Sequence, residues 1–173
     1  MNDLGRKENI IMVLIRDVQI SGSFLTRLPF RASNEVCVGD LRAASWSFPI
    51  IGLLIGLLSS AIFFLATHIN LNPFVSGMLC VAFGCIVSGG LHEDGLADTC
   101  DGLLGGKDAQ SKLDIMRDSS IGGYGAIALI FSVGIRCLIL GGLSEPEVVM
   151  VALIVGSSFS RSLLPFVTVA FRH

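Results

Sequence analysis

The sequence is poor in charge: Asp, Glu, Lys and Arg make up 15% of its 173 residues, where a soluble domain carries about 25%. It has no surplus of positive charge either. A net charge of −2 and a pI near 5.8 exclude a protein that neutralises nucleic-acid phosphates, so no nucleic-acid partner is expected. Paired cysteines are missing as well. Cys37, Cys80, Cys85, Cys100 and Cys137 are odd in number and contain no C-x-x-C, which argues against a disulfide framework and a zinc site. The apolar run Ile10–Ile15 is six residues long, is ended by Arg16-Asp17, and has no small-residue cleavage site after it, so it does not read as a signal peptide.

What is abundant is apolar: 52% of residues are hydrophobic, and the mean hydropathy is +0.75. Eleven charged side chains fall in residues 1–42, and then none of Asp, Glu, Lys or Arg appears from Ala43 to His92. A bilayer crossing takes about 20 apolar residues, so this gap has room for two. The spacing predicts spans at Trp46–Thr67 and Phe74–Gly90, separated by the breaker Asn70-Leu71-Asn72-Pro73. Two more are predicted at Tyr124–Leu143 and Val148–Phe171, interrupted by Arg136 and Arg161. Residues 9–25 are expected as an amphipathic helix at the membrane surface. The fold class expected is therefore all-α, a polytopic membrane helix bundle of about four spans forming one integral-membrane domain over 1–173. Within it, 1–42 is an interfacial segment and 91–123 a cytoplasmic active-site segment.

Lys and Arg alternate between loops. Six precede the first span (Arg6, Lys7, Arg16, Arg27, Arg31, Arg42), none lies at Asn70, three lie in 91–123 (Lys107, Lys112, Arg117), and none lies at Glu145-Pro146-Glu147. By the positive-inside rule the N-terminus, the 91–123 segment and Arg172 face the cytoplasm. In the first span Gly52, Gly56 and Ser60 repeat every four residues, a stripe that lets a neighbouring helix approach closely.

Half of the acids, seven of 14, lie in residues 93–118. At about 100° per residue, Asp98 lies roughly 40° and Asp101 roughly −20° from Asp94 on a helix, with Leu96, Cys100 and Leu103 opposite. Three in-phase carboxylates repel one another unless a cation offsets them. Oxygen ligands of this kind suit Mg²⁺ or Mn²⁺, with substrate phosphate completing the coordination. The candidate metal ligands are thus Asp94, Asp98 and Asp101, and the bland alternative is a solvated helix end. His92, two residues before the stripe, is a candidate base or phosphate contact, with helix capping as its alternative. Glu93 points about 100° away from Asp94 and reads as outer or surface.

Asp114 and Asp118, with Arg117 between them, form an expected second wall ahead of Gly122-Gly123-Tyr124-Gly125. Lys107, Arg117, Asp118 and Arg161 are the candidate substrate and phosphate contacts. For Arg117 the alternative is an exposed pair with Asp114; for the glycines it is helix packing. Arg161 lies 14 residues from Glu147, roughly 21 Å along a helix, and is favoured over Arg136, which reads as snorkelling or paired structurally.

The stretch Gly89-Gly90-Leu91-His92-Glu93-Asp94-Gly95-Leu96-Ala97-Asp98-Thr99-Cys100-Asp101-Gly102, with Ile115-Met116-Arg117-Asp118-Ser119, Gly122 and Tyr124-Gly125, resembles the cobalamin synthase family, the adenosylcobinamide-GDP ribazoletransferases. Phe24–Pro29 and Phe48–Gly52 resemble that family's N-terminal segment and first span. The resemblance implies a Mg²⁺-dependent membrane transferase of the cell inner membrane. Its substrates would be adenosylcobinamide-GDP and α-ribazole or α-ribazole 5′-phosphate, with GMP released. It further implies a ribazole 5′ oxygen attacking the phosphorus retained by cobinamide, metal on Asp94, Asp98 and Asp101, and Asp101 or His92 as proton acceptor. The lipid bilayer is the other expected partner, and a homo-oligomer stays an open alternative. Two departures accompany the match: Ser120 stands where the family often has a basic residue, and the chain stops at His173 where members usually continue, so a C-terminally truncated chain is expected. The competing readings are an inactive truncated remnant and a cation-binding transporter subunit, whose site would lie near the bilayer midplane.

Overall fold

The computed structural model describes residues 3–31, 36–143 and 145–170, and the side chains of 10–31, 36–143 and 145–166. Phe171 and Arg172 lie outside the described residues. All regular structure in the described residues is helical: α1 (Asp3–Leu25), α2 (Val38–Ala44), α3 (Phe48–His68), α4 (Pro73–Ser88), α5 (Leu91–Gly105), α6 (Ala109–Arg117), α7 (Gly123–Gly142) and α8 (Pro146–Ala170). The all-α membrane bundle is therefore the observed class. Among the described residues, three stretches are long and apolar enough to cross a membrane: 38–68, which contains α3, then α7 and residues 146–166 of α8. A fourth is present if the bent pair α4–α5 is counted as one span.

The residues cluster into two compact units, 1–61 with 147–173, and 62–146. In the first unit α3 and α8 meet along the small-residue stripe. A Cβ added to Gly56 would sit 2.7 Å from the Ile154 Cα, so only glycine lets the backbones come this close. One turn on, the Ser60 hydroxyl donates to the Met150 carbonyl at 3.2 Å, and the Ser158 hydroxyl donates to Pro49 O at 3.0 Å. The expected stripe is a packing stripe. α1 reaches further than expected and buries a mixed face: Asp17, Ile20, Ser21 and Leu25 are buried, while all of Ile10–Ile15 is exposed. Trp46 Nε1–H donates to Asp17 at 2.9 Å, Ser47 donates to Ser21 at 2.7 Å, and Arg16 pairs with Asp40.

In the second unit the Asn72 side chain accepts the Phe74 N–H at 2.9 Å and Pro73 occupies the first turn, so α4 starts where the breaker chemistry requires. It ends at Ser88, short of the expected Gly90. Its 16 residues rise roughly 24 Å, less than the ~30 Å hydrocarbon core. Gly89 and Gly90 then take φ of 66° and 72°, a left-handed pair that side chains disfavour, and the chain bends by 88° into α5.

Candidate active site

α5 does not project beyond α7 but lies against its first half, running antiparallel. At one end Asp101 meets Gly122 and Gly125. At the other, Glu93 meets Arg136. The acids follow the end of α4 directly and lie alongside α7. Burial on α5 does not follow polarity: Ala97, Asp101 and Gly102 are buried, while Leu91, Asp94, Leu103 and Leu104 are exposed. Exposed leucines around one buried carboxylate, Asp101, suit a helix whose apolar side chains face lipid.

The three carboxylates of the stripe have different surroundings. Asp94 is exposed and Asp98 half-buried, and neither is engaged by another described residue. Asp101 is 7% exposed; its Oδ2 accepts the Gly122 N–H at 2.8 Å and its Oδ1 accepts the Gly125 N–H at 2.9 Å. Among the described residues no three His, Cys, Asp or Glu side chains converge to hold a metal ion by themselves. Asp94 and Asp98, one turn apart, still fit Mg²⁺, which commonly binds one or two carboxylates and keeps water and substrate phosphate for the rest.

Glu93 is not a surface group. Arg136 Nη2 donates to its Oε1 at 2.9 Å, while Arg136 Nε donates to Ser132 O at 3.1 Å. The guanidinium therefore points back toward the start of α7, and the structural reading of Arg136 holds. Separation by 43 residues left no periodic signal for the pair. His92 is half-buried in the first turn of α5.

α6 packs on the second half of α5, where a Cβ on Gly102 would sit 2.5 Å from Met116 Cγ. Lys107 and Arg117 are exposed at the two ends of this segment. Asp114 accepts from Gln110 at 2.8 Å, so its partner is not Arg117. Asp108 caps α6 by accepting the Ser111 N–H at 2.8 Å, which holds its carboxyl below the usual carboxylate range. Asp118 accepts the Ser120 N–H at 3.1 Å, with the same effect. Asp118 thus shapes the α6–α7 turn. Gly125 serves close packing: a Cβ there would overlap the Asp101 carboxylate and sit 2.9 Å from Ala97 O. Arg161 belongs to the other unit, where its Nη1 donates to Ser157 O at 3.3 Å and Ser160 Oγ at 3.2 Å. The five cysteines are free thiols.

Comparison with known proteins places these residues in context. Residues 17–173 match the family described as cobalamin-5-phosphate synthase. Curated relatives include the adenosylcobinamide-GDP ribazoletransferases of Bradyrhizobium diazoefficiens (40% identical, covering 88% of this chain and 58% of the relative) and Mesorhizobium japonicum (41%, 92% and 60%). That of Shewanella halifaxensis is 41% identical over 82% of this chain and 55% of its own length. The chain thus spans a little over half the length of the relatives it matches. No solved structure matches. With the acidic motif and both flanking helices inside the matched region, the chain belongs to the cobalamin-5-phosphate synthase family.

Proposed function

We propose that this chain carries the reaction centre of a Mg²⁺-dependent ribazoletransferase, joining α-ribazole or its 5′-phosphate to adenosylcobinamide-GDP with release of GMP. The observation that carries the reading is the pair Asp94 and Asp98, one turn apart on α5, the first exposed and the second half-buried, and not engaged by other described residues, within a chain matched to this family over residues 17–173. Mg²⁺ held there, with Mn²⁺ as a substitute, would offset charge on the diphosphate and the departing GMP.

The chain's own groups do the rest. The family description has a 5-phosphate in the product, so the 5′ oxygen is already esterified. The attacking group is then a ribose hydroxyl other than the 5′ one, which corrects the expectation of a 5′ attack. Its oxygen bonds to the phosphorus that stays with cobinamide, the bond from that phosphorus to the GMP side breaks, and His92 takes the hydroxyl proton. Lys107 and Arg117, exposed beside α5, supply cationic donors for the phosphate oxygens. The Lys and Arg distribution supports an inner-membrane protein with its N-terminus and site on the cytoplasmic side.

The test is GMP release and cobalamin formation by membranes containing this chain, given Mg²⁺ and both substrates, beside the Asp98→Asn variant. Product that needs metal, both substrates and Asp98 is the expected result. Undiminished product from Asp98→Asn overturns the metal assignment, and absence of product from the unaltered chain overturns the claim that this chain carries the reaction.

A further inference from the structure

We propose that Asp101 is a positioning residue and not a metal ligand: its carboxylate caps α7 from a distance and fastens the 118–122 turn to the acidic helix. The site's purpose rests on the transferase reading, but the clamp is a property of the fold and stands or falls by itself.

The first N–H groups of a helix have no partner within it, and α7 starts at Gly122-Gly123, where the N-cap residue has no side chain to accept them. Asp101 supplies the missing acceptor from 21 residues upstream, with one oxygen for the Gly122 N–H and the other for the Gly125 N–H. An anion at the positive end of a helix is favoured, and burial of Asp101 keeps water from competing.

The glycines complete the device. A Cβ on either Gly122 or Gly125 would collide with the Asp101 carboxylate, so both positions are small in order to admit it. A Mg²⁺ ion that retains water and demands near-octahedral geometry has little access to a carboxylate so enclosed. The start of α7, a place where a substrate phosphate would otherwise bind, is filled by the chain's own anion. Substrate phosphates are therefore left to the exposed side of α5, at Asp94 and Asp98.

The experiment uses the full chain in lipid nanodiscs and two readouts, amide hydrogen exchange over residues 119–126 and Mn²⁺ binding followed by electron paramagnetic resonance. Asp101→Asn, which loses the charge and turns an amide N–H₂ toward one of the two donors, is expected to speed exchange at Gly122 and Gly125 by roughly tenfold or more and to leave Mn²⁺ affinity within about threefold of the unaltered chain. Asp98→Asn is expected to do the reverse. Gly125→Ala keeps the carboxylate but displaces it, so it should reproduce the faster exchange even if Asp101→Asn fails to fold. Loss of Mn²⁺ from Asp101→Asn with unchanged exchange overturns the proposal, as does unchanged exchange in Gly125→Ala. If the unaltered chain binds no Mn²⁺, the metal reading fails, and the exchange result alone decides the clamp.

Discussion

The ion pair between Glu93 and Arg136 offers a sharp energetic test of how α5 is held to α7. At 2.9 Å the gross attraction is about 6 kcal/mol at an effective dielectric near 20, most of it offset by desolvation of two ions. The burial is unequal: the Glu93 side chain is 17% exposed and that of Arg136 43%. Removing Arg136 strands the more buried charge and should cost more than removing Glu93. Breaking a fully buried pair costs about 3–5 kcal/mol, so Arg136→Gln is expected near the lower end, about 3 kcal/mol, and Glu93→Gln at about 1–2 kcal/mol. The double variant, which leaves no orphan charge, should cost only about 2 kcal/mol, giving a coupling of roughly 2–3 kcal/mol. The assay is the unfolding free energy of all four chains in mixed micelles, followed by circular dichroism during titration with a denaturing detergent. Additivity within about 0.5 kcal/mol, or a Glu93 variant less stable than the Arg136 variant, would refute the reasoning.

Three further outcomes are expected. Gly56→Leu should destabilise the first unit by about 1–3 kcal/mol through overpacking, because its first side-chain atom already meets the α8 backbone; thermal unfolding in micelles checks this, and an unchanged midpoint would contradict the close approach. Asp17→Ala removes the acceptor for the chain's single tryptophan, so Trp46 emission should shift and stability should fall by about 1–3 kcal/mol; an unaltered spectrum would count against the Trp46–Asp17 bond. Asp108 and Asp118 have carboxyls held low by N–H donors, so their caps contribute stability above the unfolded carboxylate range and lose it as pH falls through the depressed folded values. Protection of the Ser111 and Ser120 amides, corrected for the intrinsic pH dependence of exchange, should be lost only in acid below the ordinary carboxylate range, and a loss near neutrality would refute the assignment.

Much of the helical layout was legible because its signals are local. Asn72-Pro73 announces the start of α4, and Gly52, Gly56 and Ser60 at four-residue intervals require a close neighbour whatever that neighbour is. The motif at 89–102 carried the family. What escaped had two physical causes. Which side of α5 packs on α7 was not legible, because the period places Leu96, Cys100 and Leu103 opposite the carboxylates but does not say which neighbour each face meets. The partner of Glu93 lies 43 residues away and those of Asp101 lie 21 and 24 away, and no periodicity within one helix encodes such pairs. Gly89-Gly90 was visible as a doublet within the motif, but its left-handed bend was not.

The Arg136–Glu93 pair also bears on the order in which the chain is made. Glu93 is synthesised 43 residues before Arg136, so when α7 leaves the ribosome its compensating anion is already in place on α5. A guanidinium in an apolar segment costs about 2.5–3.5 kcal/mol at the centre of an inserting helix, a cost that a waiting carboxylate reduces at the moment of insertion. Vectorial synthesis would thus favour docking of α7 onto a preformed, bent α4–α5 pair, and a rearranged gene that placed α7 first would have to insert Arg136 without its counter-ion.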